Sequence, residues 1–253
     1  MFTQLQQREI FHLSFLRLFA RRVPPDIYAL KGGVNLRLFY QSPRYSEDID
    51  LDIQRIPVHQ LKKIVTGILT SKILTTTLKP FQIESIRPPD ILKAKQTETV
   101  QRFKVHLLTT AGEDLFTKIE FSRRGSQKGA RPETIHDSIL FSYKQPPLIV
   151  SHYSAETALA QKIEAVLGRS EIQARDVFDV FILQPQIDPK KLEEVKKSFS
   201  KEKRETAKNR LREINYPTFK NTVCAYLSEE DRHYYEKPEI WKTILSKVEE
   251  VLS

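Results

Sequence analysis

With 253 residues, 40% hydrophobic and 29% charged, and with 14 Phe and 9 Tyr, the chain can bury a sizeable core, which excludes a disordered or fibrous protein. Forty-one Lys and Arg against 32 Asp and Glu give a net charge of +9, a balance that suits nucleotides and RNA but also occurs on surfaces with no such partner. A single cysteine, Cys224, excludes an internal disulfide and a cysteine-based zinc cluster, and a cytoplasmic setting follows.

In chain order, the apolar spacing of residues 2–20 predicts an amphipathic helix. Gln4, Gln6, Gln7, Arg8, Glu9 and His12 interrupt it, so it reads neither as a signal peptide nor as a membrane span. No other stretch has the apolar length of a span, and no membrane partner is expected. A short strand at 27–30 should feed the pair Gly32-Gly33, with a helix over 34–40. Ile49, Leu51 and Ile53 then alternate with Asp48, Asp50 and Asp52, the period of a strand with one apolar and one acidic face, so Asp48 and Asp50 point the same way.

After Pro57 the pattern predicts a helix to about residue 72 and three strands at 73–86, 97–109 and 114–122. Residues 123–131 hold two Gly, one Ser and four basic residues with no acid, which reads as a flexible positive loop. From residue 154 the pattern turns helical, with Ser154 as N-cap and Glu156 in the first turn. Helices are expected over 155–168, 173–183, 188–199, 201–213, 217–227 and 238–252. The division falls near residue 150, giving lobes at 1–150 and 151–253. Residues 190–212 carry ten Lys or Arg and four Asp or Glu, a local excess of six positive charges.

The strongest local signal is Lys31-Gly32-Gly33 followed, after fourteen intervening residues, by Asp48-Ile49-Asp50-Leu51. Glycines let backbone N–H groups approach a phosphate at a helix start, and two carboxylates on one strand face supply hard oxygen ligands for magnesium. The competing reading is a plain turn and a solvated acidic strand, although like charges on one face repel unless a cation binds. In Thr117-Lys118-Ile119-Glu120-Phe121, Ile119 and Phe121 alternate with Lys118 and Glu120, so the Glu120 carboxylate can face a cleft or lie on the surface.

This glycine pair with Asp-hydrophobic-Asp resembles the nucleotidyltransferase superfamily that includes DNA polymerase beta. Gly32-Gly33-Val34-Asn35-Leu36 followed by Arg44-Tyr45-Ser46-Glu47-Asp48-Ile49-Asp50-Leu51 resembles, more narrowly, the AbiEii/AbiGii-type toxins, also called the MenT group. A second block, Ala160-Gln161-Lys162-Ile163-Glu164-Ala165 and then Ala174-Arg175-Asp176-Val177-Phe178-Asp179, resembles that group's lysine helix and Arg-Asp segment.

The resemblance implies an α+β fold: a polymerase-beta-like nucleotidyltransferase lobe with a mixed sheet, then a helical C-terminal lobe completing the active site. It implies Asp48, Asp50 and Glu120 as ligands of Mg2+ or Mn2+, with Glu120 helping to activate an acceptor hydroxyl. Lys31, Gly32, Gly33, Arg44 and Ser46 would lie at the nucleotide, and Lys162 and Asp176 would be needed for activity. Arg44 has a competing role in an ion pair with Asp48 or Glu47, and Arg175 with Asp179 reads equally as a helix-surface pair. The implied activity moves a nucleoside monophosphate from an NTP to an acceptor hydroxyl, the 3′ end of tRNA first, releasing pyrophosphate. The alternatives are a protein or small-molecule acceptor, and a non-catalytic RNA- or partner-binding protein on the same fold. A cognate antitoxin is the further partner implied. A phosphate on Ser46 would place negative charge beside Asp48 and Asp50 and compete with the triphosphate.

Overall fold

Helix α1, Gln4–Ala20, opens with a capping box in which the Thr3 and Gln6 side chains satisfy each other's backbone N–H groups. The computed structural model describes residues 2–87 and 96–253. They form two compact units, one of residues 2–39 and 45–153, the other of Tyr40–Arg44 and Ser154–Ser253.

In the first unit, β1 (Tyr28–Lys31) leads directly into α2 (Gly32–Phe39), and β2 is Ile49–Ile53. Helices α3 (Val58–Leu69) and α4 (Lys72–Leu78) follow, and a 3-10 turn then leads to β3 (Ile83–Arg87). The long strands β4 (Val100–Thr109) and β5 (Asp114–Ser122) are antiparallel neighbours. Strand β6 (Ala130–Thr134), helix α5 (Asp137–Ser142) and β7 (Ile149–Tyr153) complete the unit.

The seven strands form one mixed sheet in the order β3-β4-β5-β2-β1-β7-β6. Strand β2 runs antiparallel to β1 and parallel to β5, and β1 runs parallel to β7. The edge strand β6 carries Arg131, Pro132 and Glu133. On β4 and β5 burial alternates residue by residue, and Phe103, Val105, Ile119 and Phe121 enter the core. Helix α1 supplies Phe11, Phe15 and Phe19 as a continuous stack, the last 5.4 Å from the Phe121 ring.

Two expectations are corrected here. The β-branched run after Lys72 becomes a helix because Ser71 caps it through the Leu74 N–H and because Leu74 and Leu78, one turn apart, are both fully buried. Helix α1 is not a simple two-faced surface helix, because Gln7, Glu9, His12 and Ser14 are buried along with its apolar residues.

The second unit is helical: α6 (Ala155–Gly168), α7 (Ala174–Leu183), α8 (Pro189–Lys197), α9 (Lys201–Leu211), α10 (Tyr216–Thr222), α11 (Glu229–Tyr235) and α12 (Pro238–Val251). Ser154 caps α6 through the Thr157 N–H. The unit has its own aromatic core, in which Phe219 stacks on Trp241 at 4.5 Å and Phe178 meets Tyr235 edge-on at 5.2 Å. Among the described residues, no helix is long and apolar enough to cross a membrane.

Candidate functional site

The first unit gathers its carboxylates by strand register. Asp50 on β2 lies beside Glu120 on β5 and opposite Lys31 on β1. Gly32 has a left-handed backbone (φ 69°), and a Cβ there would stand 2.9 Å from Asp50 Oδ2. A side chain at that position would be strained and would also displace the carboxylate. Gly33 occupies the first turn of α2.

Asp48, just before β2, and Glu120 share one cation. Lys118 Nζ is 3.1 Å from Asp48 Oδ2 and 3.7 Å from Glu120 Oε2, and Arg102 Nε donates to the same Glu120 oxygen at 2.6 Å. Burial pushes the Asp50 carboxyl above the usual carboxylate range. Glu120 and Asp48 push the same way, against the opposing pull of Lys118 and Lys31. Among the described residues no three His, Cys, Asp or Glu side chains converge as a preformed metal cage. The donor set nevertheless suits a hard divalent cation: Asp48, Asp50 and Glu120 offer only carboxylate oxygens, and the Lys118 ammonium already stands in as the positive charge between two of them.

Asp52 behaves differently from its two predecessors on the acidic face. It is buried, its Oδ1 is 2.5 Å from Lys31 Nζ, and its Oδ2 accepts from the Tyr153 hydroxyl at 2.7 Å. Lys31, expected at the nucleotide, is thus held by Asp52. The basic loop after β5 closes on the same carboxylate, since a Cβ at Gly125 would overlap Asp52 Oδ2. Gln54 donates to the Gly125 carbonyl and Gln127 to the Ile27 carbonyl, so the loop is tied down at two points rather than free. Ser46 donates to the Asp48 carbonyl at 3.1 Å, a bond that folds the chain tightly before β2.

The second unit holds a buried charge cluster. Lys162 on α6 lies 3.0 Å from Asp176 Oδ1 and 2.7 Å from Asp179 Oδ2, both carboxylates being on α7. Arg169 Nε is 2.8 Å from Asp176 Oδ2, and Arg44 Nη2 donates to both Asp179 oxygens at 3.0 and 3.1 Å. Burial works against the Lys162 charge, but Asp179 and Asp176 overcome it and hold the ammonium above its ordinary pKa. Burial likewise opposes ionisation of Asp179, and Arg44 and Lys162 prevail and hold it below the carboxylate range. Arg44 is therefore engaged by Asp179. The surface pair between Arg175 and Asp179 gives way to this cluster, and Arg175 donates to the Gln173 side chain instead.

The sequence reading missed Lys118, Arg102 and Tyr153. The signal for Lys118 was present, because its alternation with Ile119 puts it on the face of Glu120. Arg102 and Tyr153 depend on strand order and left no local mark.

No functionally curated protein matches the sequence. Among solved structures, JHP933 from Helicobacter pylori is similar at 18% identity, covering 99% of this chain and 95% of that one, with a TM-score of 0.56. MenT4, a nucleotidyltransferase toxin from Mycobacterium tuberculosis H37Rv, is similar at 14% identity, covering 98% of this chain and 84% of that one, with a TM-score of 0.62. At these identities the likeness is one of fold. The sequence itself carries the assignment: matched over residues 15–249 by the family model of the nucleotidyl transferase AbiEii toxin of Type IV toxin–antitoxin systems, the chain belongs to that family.

Proposed function

We propose that the protein transfers a nucleoside monophosphate from an NTP to an acceptor hydroxyl, the 3′ end of tRNA, with release of pyrophosphate. The observation that carries this reading is Asp50 and Glu120 side by side on two adjacent parallel strands, with Asp48 just before the first of them and Gly32 packed against the Asp50 carboxylate. Asp48, Asp50 and Glu120 would hold Mg2+ or Mn2+. When bound, the ion supplies positive charge to the triphosphate and to the attacking oxygen.

The chain's own groups supply the rest. Glu120 accepts the proton side of the acceptor hydroxyl and orients it. Gly32, Gly33 and Ser46 would lie at the phosphates, the backbone N–H groups at the start of α2 facing them. Lys162 and Asp176 are assigned to the reaction as the cationic group that binds an anionic part of the substrate and the carboxylate that orients it. The charge balance of their cluster supports this, for Arg44, Lys162 and Arg169 are three cations against the two carboxylates Asp176 and Asp179. The basic loop at 123–131 and the basic segment at 190–212 are assigned to phosphates of the RNA, a contact that weakens steeply with salt. Family membership implies an antitoxin partner, and a cytoplasmic setting belongs to the same proposal.

The test incubates the purified chain with total RNA, Mg2+ and each labelled NTP in turn. Label on tRNA-sized RNA that disappears in Asp48→Ala is the expected result. Absence of label with every NTP, or undiminished label in Asp48→Ala, overturns the reading. Label that appears only when proteins or aminoglycosides are added moves the acceptor and keeps the chemistry.

A further inference from the structure

Two side-chain relays start from one face of α1 and end on the segment that carries Asp48. Glu9 and His12 lie three residues apart, and both are buried. Glu9 accepts from Arg37 Nε at 2.6 Å and from Arg37 Nη2 at 3.3 Å, and its second oxygen also accepts from the Tyr143 hydroxyl at 2.7 Å. The guanidinium fixed in this way lies over the Tyr45 ring, 4.1 Å from its centroid. In the other relay, His12 Nε2 is 3.1 Å from Thr117 Oγ1, and Thr117 donates to the Glu47 carbonyl at 2.6 Å. A hydroxyl has one proton, so with the Thr117 proton on Glu47 the imidazole must donate from Nε2.

Burying an ion pair contributes little net stability compared with apolar residues of the same size, so the presence of Glu9 and Arg37 beneath this loop calls for another reason. The space between the relays is a cavity of about 10 Å3 lined by Glu9, His12, Val34, Arg37, Leu38 and Ser46, which admits roughly one water molecule.

We propose that Glu9 with Arg37, and His12 with Thr117, are positioning residues that fix the backbone of residues 45–48 and so set the Asp48 carboxylate relative to Asp50 and Glu120. The proposal rests on the reading of those carboxylates as a divalent-cation site. It differs from that reading in assigning cation affinity to groups that never touch the cation.

The experiment compares the full chain with Thr117→Val and Thr117→Ser, using Mn2+ as the probe. Mn2+ affinity is read by electron paramagnetic resonance, and amide hydrogen exchange is read over residues 45–50. Thr117→Val should weaken Mn2+ binding and raise exchange about tenfold, as loss of a supporting hydrogen bond behind a ligand does, and Thr117→Ser should restore both to within about threefold. Arg37→Met against Arg37→Lys repeats the comparison on the other relay if Thr117→Val does not fold. Wild-type exchange and affinity in a folded Thr117→Val overturn the proposal, as does equal impairment in the Val and Ser variants. If the wild type does not bind Mn2+, or Asp48→Asn binds it unchanged, the cation reading fails. The exchange comparison still decides the positioning role: loss of protection in Val with retention in Ser supports it, and no difference overturns it.

Discussion

Lys118 offers a quantitative handle on the carboxylate row. Its ammonium is 3.1 Å from Asp48 and 3.7 Å from Glu120, with all three side chains between one fifth and one third exposed. At the nearer distance, Coulomb attraction is about 1.3 kcal/mol at the dielectric of water and about 5 kcal/mol at an effective dielectric of about 20. Solvent screening at this exposure argues for the lower part of that range, about 1–2 kcal/mol. A divalent cation must displace or share this contact, so Lys118→Met should tighten Mn2+ binding about tenfold, a factor worth about 1.4 kcal/mol. The same change takes the ammonium from Asp48 and leaves Arg102 as the cation on Glu120, so the cation-free protein should melt at a lower temperature, and Mn2+ should recover more stability than it adds to the wild type. Isothermal titration and thermal melts with and without Mn2+ measure both effects. Unchanged or weaker Mn2+ affinity in a folded Lys118→Met would refute the idea that the ammonium stands where the cation binds.

Further expectations follow from particular contacts. Gly32→Ala should cost about 1–2 kcal/mol from the left-handed backbone alone and should also weaken Mn2+ binding by displacing Asp50, whose oxygen lies 2.9 Å from the new Cβ; melting with and without Mn2+ separates the two effects. Asp179→Asn leaves Arg44 and Lys162 buried without their shared counter-charge and should destabilise the helical unit by about 3–5 kcal/mol, read by urea unfolding. Burial, with a smaller contribution from Arg8, depresses His12 from 6.5 to about 3, so below pH 6.5 the unfolded chain takes up a proton that the folded chain refuses. Stability from this group is intact above pH 6.5 and falls by about 1.4 kcal/mol per pH unit towards pH 3. Between pH 6.5 and 5 the wild type should therefore lose about 2 kcal/mol more than His12→Gln, and equal slopes would refute the assignment of His12 as a buried neutral imidazole.

The features legible in the sequence were local. Strand β2 was readable because Ile49, Leu51 and Ile53 alternate with acids, and α6 because Ser154 and Glu156 mark its start. The run at Thr75, Thr76 and Thr77 was misread because β-branched residues favour strands, whereas here the cap at Ser71 and burial of Leu74 and Leu78 decide for a helix. Strands β6 and β7 are as short as β2 but lack its alternation of apolar and acidic residues, and helices α5 and α11, of six and seven residues, are too short for a helical period to show. At the site, the carboxylates and the cations Lys31, Arg44 and Lys162 were visible, but Lys118 and Arg102 were not, nor was the carboxylate that holds Lys31 or Arg44. Arg44 meets Asp179 across 135 positions and Lys31 meets Asp52 across 21, and pairings of that kind are set by topology. The buried Glu9 and His12 looked like the polar face of a surface helix, since the same spacing serves a solvated side chain and an internal tether.

Strand β6 ends one side of the sheet, and it is poorly suited to recruit a foreign strand. It is five residues long, Pro132 at its centre has no N–H to offer, and Arg131 and Glu133 flank that proline with charge. An incoming chain would meet a broken ladder and two groups that resist losing water. Replacing Pro132 would restore a continuous template, and the cost would show first as association at high concentration, well before any change in the folding of the monomer.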